Sequence, residues 1–210
     1  LNDAALSIEK AMEEYHFNDA AQTVYSFFWN DFCDWYIEAS KEKMLHGSEE
    51  EKDLQVSILM DILESSMRLM HPFLSFITEE IYQKLPNHKG DVISAQYPIY
   101  NEADKDNEAD SSMESLQEVV RVVRAVRSSL GIGPEKKLKV VVRPSKDNPY
   151  ASFYKEEEKI LSSFMGASSV IVDSEGSEDT AKAFPCHGSG FEASVFVRDA
   201  TAVAGESQRL

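Results

Sequence analysis

Apolar positions recur at helical spacing through the first 130 residues and change to strand-like alternation after them. The densest stretch is residues 17–45, FNDAAQTVYSFFWNDFCDWYIEASKEKML. On a 100° wheel Ala21, Val24, Tyr25, Phe28, Trp29, Phe32, Cys33, Trp35 and Tyr36 cover roughly 200° of arc, so this predicted helix needs neighbours on two sides and is the central element. Thr23, Ser26, Asn30, Asp34, Glu38 and Lys41 form its polar stripe. Asn18 is the expected N-cap, and Lys41, Lys43 and His46-Gly47 mark its end.

Helices are expected around it. Residues 2–15 carry Ala5, Ile8, Met12 and Tyr15 at helical spacing, with Asn2 as a cap, and the short His16-Phe17 hinge makes an antiparallel pair. Ser48 and Glu51 form a capping box for a third helix through Leu54, Ile58, Ile62 and Met70. Pro72 opens a fourth, HPFLSFITEEIYQKL, with Phe73, Phe76, Ile77, Ile81 and Leu85 as core. A long connection touches down at Val92-Ile93 and Tyr97-Pro98, its charged part 101–110 reading as mobile. A fifth helix runs from Ser111 to Leu130 and ends at Gly131.

From Leu138 the period shortens. KLKVVVRP, SSVIVD and FEASVFVRD read as strands, residues 150–164 as an amphipathic helix, and Gly188 and Gly190 as a turn or hairpin before the last strand. The expected fold is therefore mainly α, an antiparallel helical bundle over residues 1–135 followed by a small α/β module over 136–210.

Charge adds the first functional information. The 210 residues carry a net charge of −16, which by itself disfavours nucleic acid. Yet between Val119 and Lys146 eight Lys and Arg face one acid, Glu135, so this segment is +7 in a body of −23. An acidic protein-interaction scaffold has no need to gather its cations in this way, whereas a nucleic-acid binder does. No uncharged apolar run approaches membrane-spanning length. Two cysteines, Cys33 and Cys186, suggest neither a disulfide framework nor a zinc site, in keeping with a reducing cytoplasm. The chain opens on Leu1 without a leader pattern and reads as part of something longer.

The blocks FNDAAQTVYSFFWNDFCDWYIEASK, HPFLSFITEEIY, SAQYP and RVVRAVRSSLGIGPEKK resemble, in order and spacing, the C-terminal part of bacterial valyl-tRNA synthetases. The HPF and TEE pattern is shared with the isoleucyl and leucyl enzymes, and the FFWNDFCDWYIE block tips the resemblance to valine. It implies an anticodon-binding bundle whose partners are tRNA(Val) and the catalytic and editing domains of a monomeric cytoplasmic ligase that uses ATP and magnesium. The class I ATP signatures are absent from this sequence, so no catalytic residue is expected here. Ser75 stands where relatives often have proline, and the family's coiled-coil arm would begin near the GESQRL terminus.

Candidate RNA contacts are Arg121, Arg124, Arg127, Lys136, Lys137 and Lys139 in the basic segment, with Asn30 and Lys41 on the central helix. Arg121 faces solvent on the wheel and Arg124 flanks it. Arg127 borders the core, where a carboxylate such as Asp31 or Asp34 is an alternative partner. Gly131-Ile132-Gly133-Pro134 followed by Lys136-Lys137 offers flexible backbone and two cations to phosphate oxygens. Glu79-Glu80 diverge by 100° and make no paired-carboxylate site, His71 reads as a cap or packed ring, and Cys186-His187 lacks further metal ligands. No cofactor or metal is expected within these residues.

Overall fold

The computed structural model describes residues 1–86, 88–133 and 135–197. The chain divides into two compact units, Leu1–Lys105 and Asp106–Leu210. The approach to a coiled-coil arm lies outside the described residues.

In the first unit, α1 (Asn2–Glu13) and α2 (Phe17–Tyr25) form a helical hairpin. Its turn places Tyr15 at φ 61°, the one positive φ outside glycine among the described residues. Asn2 does not cap α1. It lies inside the first turn and clamps the long connection, donating to the Asn101 carbonyl at 2.8 Å and accepting from its amide at 2.9 Å. Asn18 likewise falls within α2, whose cap position is His16.

The central helix is continuous but not uniform. α2 passes into a π-helical segment (Ser26–Ile37) and then into α3 (Glu38–His46). A π turn bonds i to i+5 and is wider than an α turn, so successive side chains advance by less than 100° and the wheel drifts. The drift moves Phe27 into the core, at 7% exposure, although the α wheel left it out. Trp29 inside the segment and Tyr25, the last residue of α2, are 53% and 64% exposed, contrary to their expected place in the core. Their rings stack on each other at 6.4 Å with planes 11° apart. Phe32 remains buried, stacked against Tyr36 at 6.3 Å and tilted on Phe28 at 5.8 Å.

Helix α4 (Glu49–Met70) starts from the expected capping box, the Ser48 hydroxyl accepting from the Glu51 amide and the Glu51 carboxylate from the Ser48 amide. The Gly47 turn folds α4 back beside α3, where Gln55 donates to Tyr36 and Ser40 hydroxyls at 3.0 and 3.1 Å. Beyond α4, His71–Leu74 is a turn, and α5 (Ser75–Tyr82) begins three residues later than Pro72 suggested. Phe73 packs on the core, whereas Phe76 and Ile77, expected there, are exposed. The core itself gathers Ala5 and Ile8 of α1, Ala20 and Val24 of α2, Phe27, and Met67, Leu69 and Met70 of α4. In the connection, Val92 is buried and Ile93 exposed. Tyr97 donates to the Leu69 carbonyl at 3.2 Å, and burial pushes its phenol up to about 12. The 101–110 segment is structured: a 3₁₀ turn spans Glu102–Asp104, and Asp106 caps the next helix through the Glu108 and Ala109 amides.

The second unit begins with that helix, α6 (Asn107–Ser129), longer at its start than expected and packed on the sheet and on α8. The helix counted with the bundle from the sequence pattern therefore belongs to the compact unit of the sheet. Gly131, at φ 62°, ends it as anticipated. Strand β1 (Leu138–Pro144) leads through α7 (Ala151–Glu156) and α8 (Glu158–Met165) to the parallel strand β2 (Ala167–Val172). An antiparallel hairpin, β3 (Phe184–Gly188) and β4 (Phe191–Phe196), completes the order β2-β1-β4-β3. β3 is the first arm of the hairpin that Gly188 and Gly190 suggested, though its five residues, which hold a proline and a glycine, were not read as a strand. Leu116, Val119, Val120 and Val123 of α6 share the buried layer with Val140, Val142, Leu161, Phe164, Val170 and Val195.

One carboxylate organises the loop after β2. Asp173 is buried and accepts from the Glu178 amide at 3.0 Å, the Ser177 amide at 2.9 Å and hydroxyl at 3.1 Å, and Arg143 Nε at 3.1 Å. The Glu178 amide first, then the other donors, hold its pKa well below the usual carboxylate range against the opposing effect of burial. Its stabilisation is complete above the unfolded carboxylate pKa of about 4 and is lost as pH falls through the lower folded value. Replacing Asp173 with Asn should lower the denaturation midpoint at pH 7 and flatten its decline in acid, read by circular dichroism between pH 7 and 2. For the central helix, Phe27→Ala should cost about 3 kcal/mol in urea unfolding and Trp29→Ala no more than about 1 kcal/mol. An uninterrupted α-helix predicts the reverse order.

Candidate nucleic-acid interface

The basic segment does not form one uniform face. Arg127 is 7% exposed and spends its guanidinium on four carbonyls. Nη1 donates to Met165 O at 2.6 Å and Gly166 O at 2.9 Å, and Nη2 to Gly133 O at 2.8 Å and Lys136 O at 3.1 Å. Its partners are thus the end of α8 and the loop into β1, not Asp31 or Asp34. The negative end of the α8 dipole and the loop carbonyls replace water around the cation. Gly166, at φ 58°, closes the same contact, since a Cβ there would lie 3.0 Å from Arg127 Nη1. Arg124, one turn earlier, is exposed and donates through Nε to Phe164 O at 2.9 Å.

Two more cations are committed to the sheet. Lys139 pairs with Glu178 at 2.7 Å and lies 5.3 Å from the centre of the Phe196 ring. Arg143 bonds Asp173, the Thr180 hydroxyl and the Glu178 carbonyl. Arg121, Lys136, Lys137 and Lys146 are exposed. Arg121 borders an open cleft of about 660 Å³ that also presents Glu114 and Glu118, a mixed setting for an anion. Arg124 and Lys137 line a second cavity of about 510 Å³, together with Arg127, Ser128, Ile132, Ser163, Phe164, Met165 and Gly166, and among the described residues no carboxylate enters that lining. This is where the structure brings cations and hydroxyls together. Pro134, within the loop, lies outside the described residues.

The central-helix candidates differ from these. Asn30 is exposed and donates to the Ser26 hydroxyl at 3.2 Å, while Lys41 is paired with Glu38 three residues before it. The stacked Tyr25–Trp29 pair is the surface feature missed from sequence. An aromatic pair four residues apart on an apolar wheel reads as core, and the structure leaves both rings exposed.

His71 is a packed ring rather than a base. His71 Nδ1 and Thr78 Oγ1 share a hydrogen bond at 2.8 Å, and Thr78 Oγ1 also lies 2.9 Å from Leu74 O and 3.1 Å from Ser75 O. Glu79 and Glu80 diverge as expected: Glu79 accepts from the Val92 amide at 3.0 Å and Glu80 pairs with Lys84 at 2.6 Å. Both cysteines are free. Among the described residues no group of three or more His, Cys, Asp or Glu is placed to hold a metal ion, and no helix is long and apolar enough to cross a membrane.

A helical first unit, a cation-bearing helix and the loop that follows it define the class. The family described as the anticodon-binding domain of tRNA ligase matches residues 1–142, and the chain belongs to that family. Its relatives include the valine–tRNA ligase of Treponema denticola, 39% identical over 95% of this chain and 23% of that protein. That of Treponema pallidum is 44% identical over 69% of this chain and 16% of its own length, and that of Thermotoga maritima 36% identical over 88% and 20%. The chain therefore spans about a fifth of the length of these relatives.

Arg127→Ala should cost about 3 kcal/mol in chemical unfolding, because four carbonyls lose a charged donor. Arg127→Lys should recover less than half of that loss, since an ammonium cannot span both carbonyl pairs as a planar fork does.

Proposed function

We propose that these residues are the tRNA-binding part of a valine–tRNA ligase, holding the anticodon stem and loop of tRNA(Val). Positioning the tRNA lets its acceptor end reach catalytic and editing domains that lie outside them. The observation that carries this reading is family membership across residues 1–142, and relatives that are valine–tRNA ligases favour valine over isoleucine or leucine. Aminoacylation, with ATP and magnesium, belongs in this reading to the remainder of a monomeric cytoplasmic enzyme, and this chain alone is inactive.

The exposed cations suit sugar–phosphate contact more than base readout. Arg124 and Lys137 flank one carboxylate-free cavity with the hydroxyls of Ser128 and Ser163, and Lys136 stands beside it in sequence. Arg127 acts through the backbone, fixing the carbonyls of Gly133 and Lys136 and with them the direction of that lysine pair. Lys139 has a structural partner in Glu178, and Lys41 in Glu38, so both contribute charge more than contact. Asn30, next to the exposed Trp29 ring, is the candidate for a base edge.

Four of the exposed cations, Arg121, Arg124, Lys136 and Lys137, would give a salt exponent of about 3, which corresponds to weak binding by an acidic chain. In filter or fluorescence titrations, a tRNA(Val) transcript should bind with a log–log salt slope of about −3. Arg121→Ala with Lys136→Ala should reduce that slope by between about 1 and 2 and weaken binding. Binding indifferent to salt, or unchanged in the double variant, would reject this surface in favour of an acidic protein-interaction scaffold.

A further inference from the structure

We infer that the cavity between the end of α6, the loop into β1 and the end of α8 seats one backbone phosphate of the RNA, with the hydroxyls of Ser128 and Ser163 as its hydrogen-bond donors. Ser163 lies beyond residue 142, where the match to the anticodon-binding family ends. The small α/β module therefore supplies part of the RNA site itself. The inference deepens the tRNA reading above and rests on it.

The wall of the cavity holds a cation that no acid neutralises. Arg127 lines it with more than nine-tenths of its surface buried, and its four partners are all neutral carbonyls. Its hydrogen bonds are satisfied, yet no carboxylate among the described residues pairs with it. A charge held in a low-dielectric wall acts on the cavity with less screening than one in water. The carboxylate of Glu135 lies against Gly133 and stays out of the lining.

The end of α8 is prepared in the same way. The carboxyl end of a helix carries partial negative charge and repels an anion. Here Phe164 O accepts from Arg124 Nε at 2.9 Å, and Met165 O and Gly166 O accept from Arg127 Nη1 at 2.6 and 2.9 Å, so cations already engage these carbonyls. Donors are left over beside them. Ser128 and Ser163 are exposed in the lining, and among the described residues neither hydroxyl has a hydrogen-bond partner and the Lys137 ammonium has no ion-pair partner. By contrast Ser162, one residue away, donates to Ala167 O at 3.2 Å, and Lys139 is paired with Glu178. Hydroxyls beside guanidinium and ammonium groups suit phosphate oxygens: the cations attract, and neutral O–H groups on two different helices fix where the oxygens sit. Among the described residues the lining holds no exposed aromatic ring and no side-chain amide, the groups that read a base.

The test uses Ser163→Ala and Ser163→Asp, with Ser174→Asp, beyond the far end of β2 and outside the lining, as the control for added charge. Ser163 and Ser174 are exposed, so each variant should unfold in urea close to the parent. In titrations with a tRNA(Val) transcript, Ser163→Ala should weaken binding about threefold with the salt slope unchanged, since a hydroxyl releases no counter-ion. Ser163→Asp should weaken it about tenfold, and Ser174→Asp by less than about twofold. With the chain alone, inorganic phosphate should raise the thermal midpoint above that in chloride of equal ionic strength, and this difference should vanish in Ser163→Asp. Affinity unchanged in both Ser163 variants overturns the inference, as does a loss that Ser174→Asp matches or a phosphate effect equal in the parent and Ser163→Asp. Each of these leaves tRNA binding to the remaining cations. A phosphate effect that Ser163→Asp abolishes, in a chain that binds no tRNA(Val), would instead reject the tRNA reading and leave a site for free phosphate.

Discussion

Everything around the basic segment depends on one buried cation satisfied entirely by backbone carbonyls. An arginine taken out of water without a carboxylate costs several kcal/mol unless its donors are matched, and Arg127 finds its match at two places. The last carbonyls of α8 would otherwise be orphaned, and the carbonyls of the loop into β1 have no strand partner there. One guanidinium therefore terminates a helix, shapes a loop and ties α6 to both. The exposed lysines of that loop and the cavity beside Arg124 owe their arrangement to it.

The elements most legible in the sequence are those whose cause is local. The Ser48–Glu51 capping box, the glycine ending α6, the alternation of β1 and the turn before β4 all follow from residues within a few positions of one another. Elements fixed by distant partners were less legible. Asn2 looks like a cap but is claimed by Asn101, and α6 looks like a bundle helix because its apolar stripe does not say whether a helix or a sheet will cover it. Phe76 and Ile77 fit a core stripe by spacing, yet the turn at His71–Leu74 sets α5 at an angle that leaves them outside.

The candidate site shows the same division. Clustering of cations between Val119 and Lys146 is visible as composition. Which of them are spent is not, because their partners are carbonyls of the loop before β1 and, brought close by the β1-α7-α8-β2 crossover and the loop after it, carbonyls at the end of α8 and the carboxylates of Asp173 and Glu178. The wheel placed Arg127 at the edge of the core correctly but offered a carboxylate as its partner. Backbone acceptors carry no sequence signature, so that answer required the fold.

The π segment has a bearing on how the two ends of the central helix are related. Phe17 at one end and Lys41 and Lys43 at the other are fixed to a single shaft, and the wide turns between Ser26 and Ile37 set the angle by which one end is rotated against the other. Removing one residue from those turns would turn the lysines by somewhat less than 100° about the axis relative to the apolar end. Helix α4 packs on both ends, through Gln55 at Tyr36 and Ser40 and through Met67 and Met70 at Ala20 and Val24, so such a rotation would break one of the two contacts. The aromatic stretch is thus a phase setting as well as a core, and its residue count is constrained as tightly as its composition.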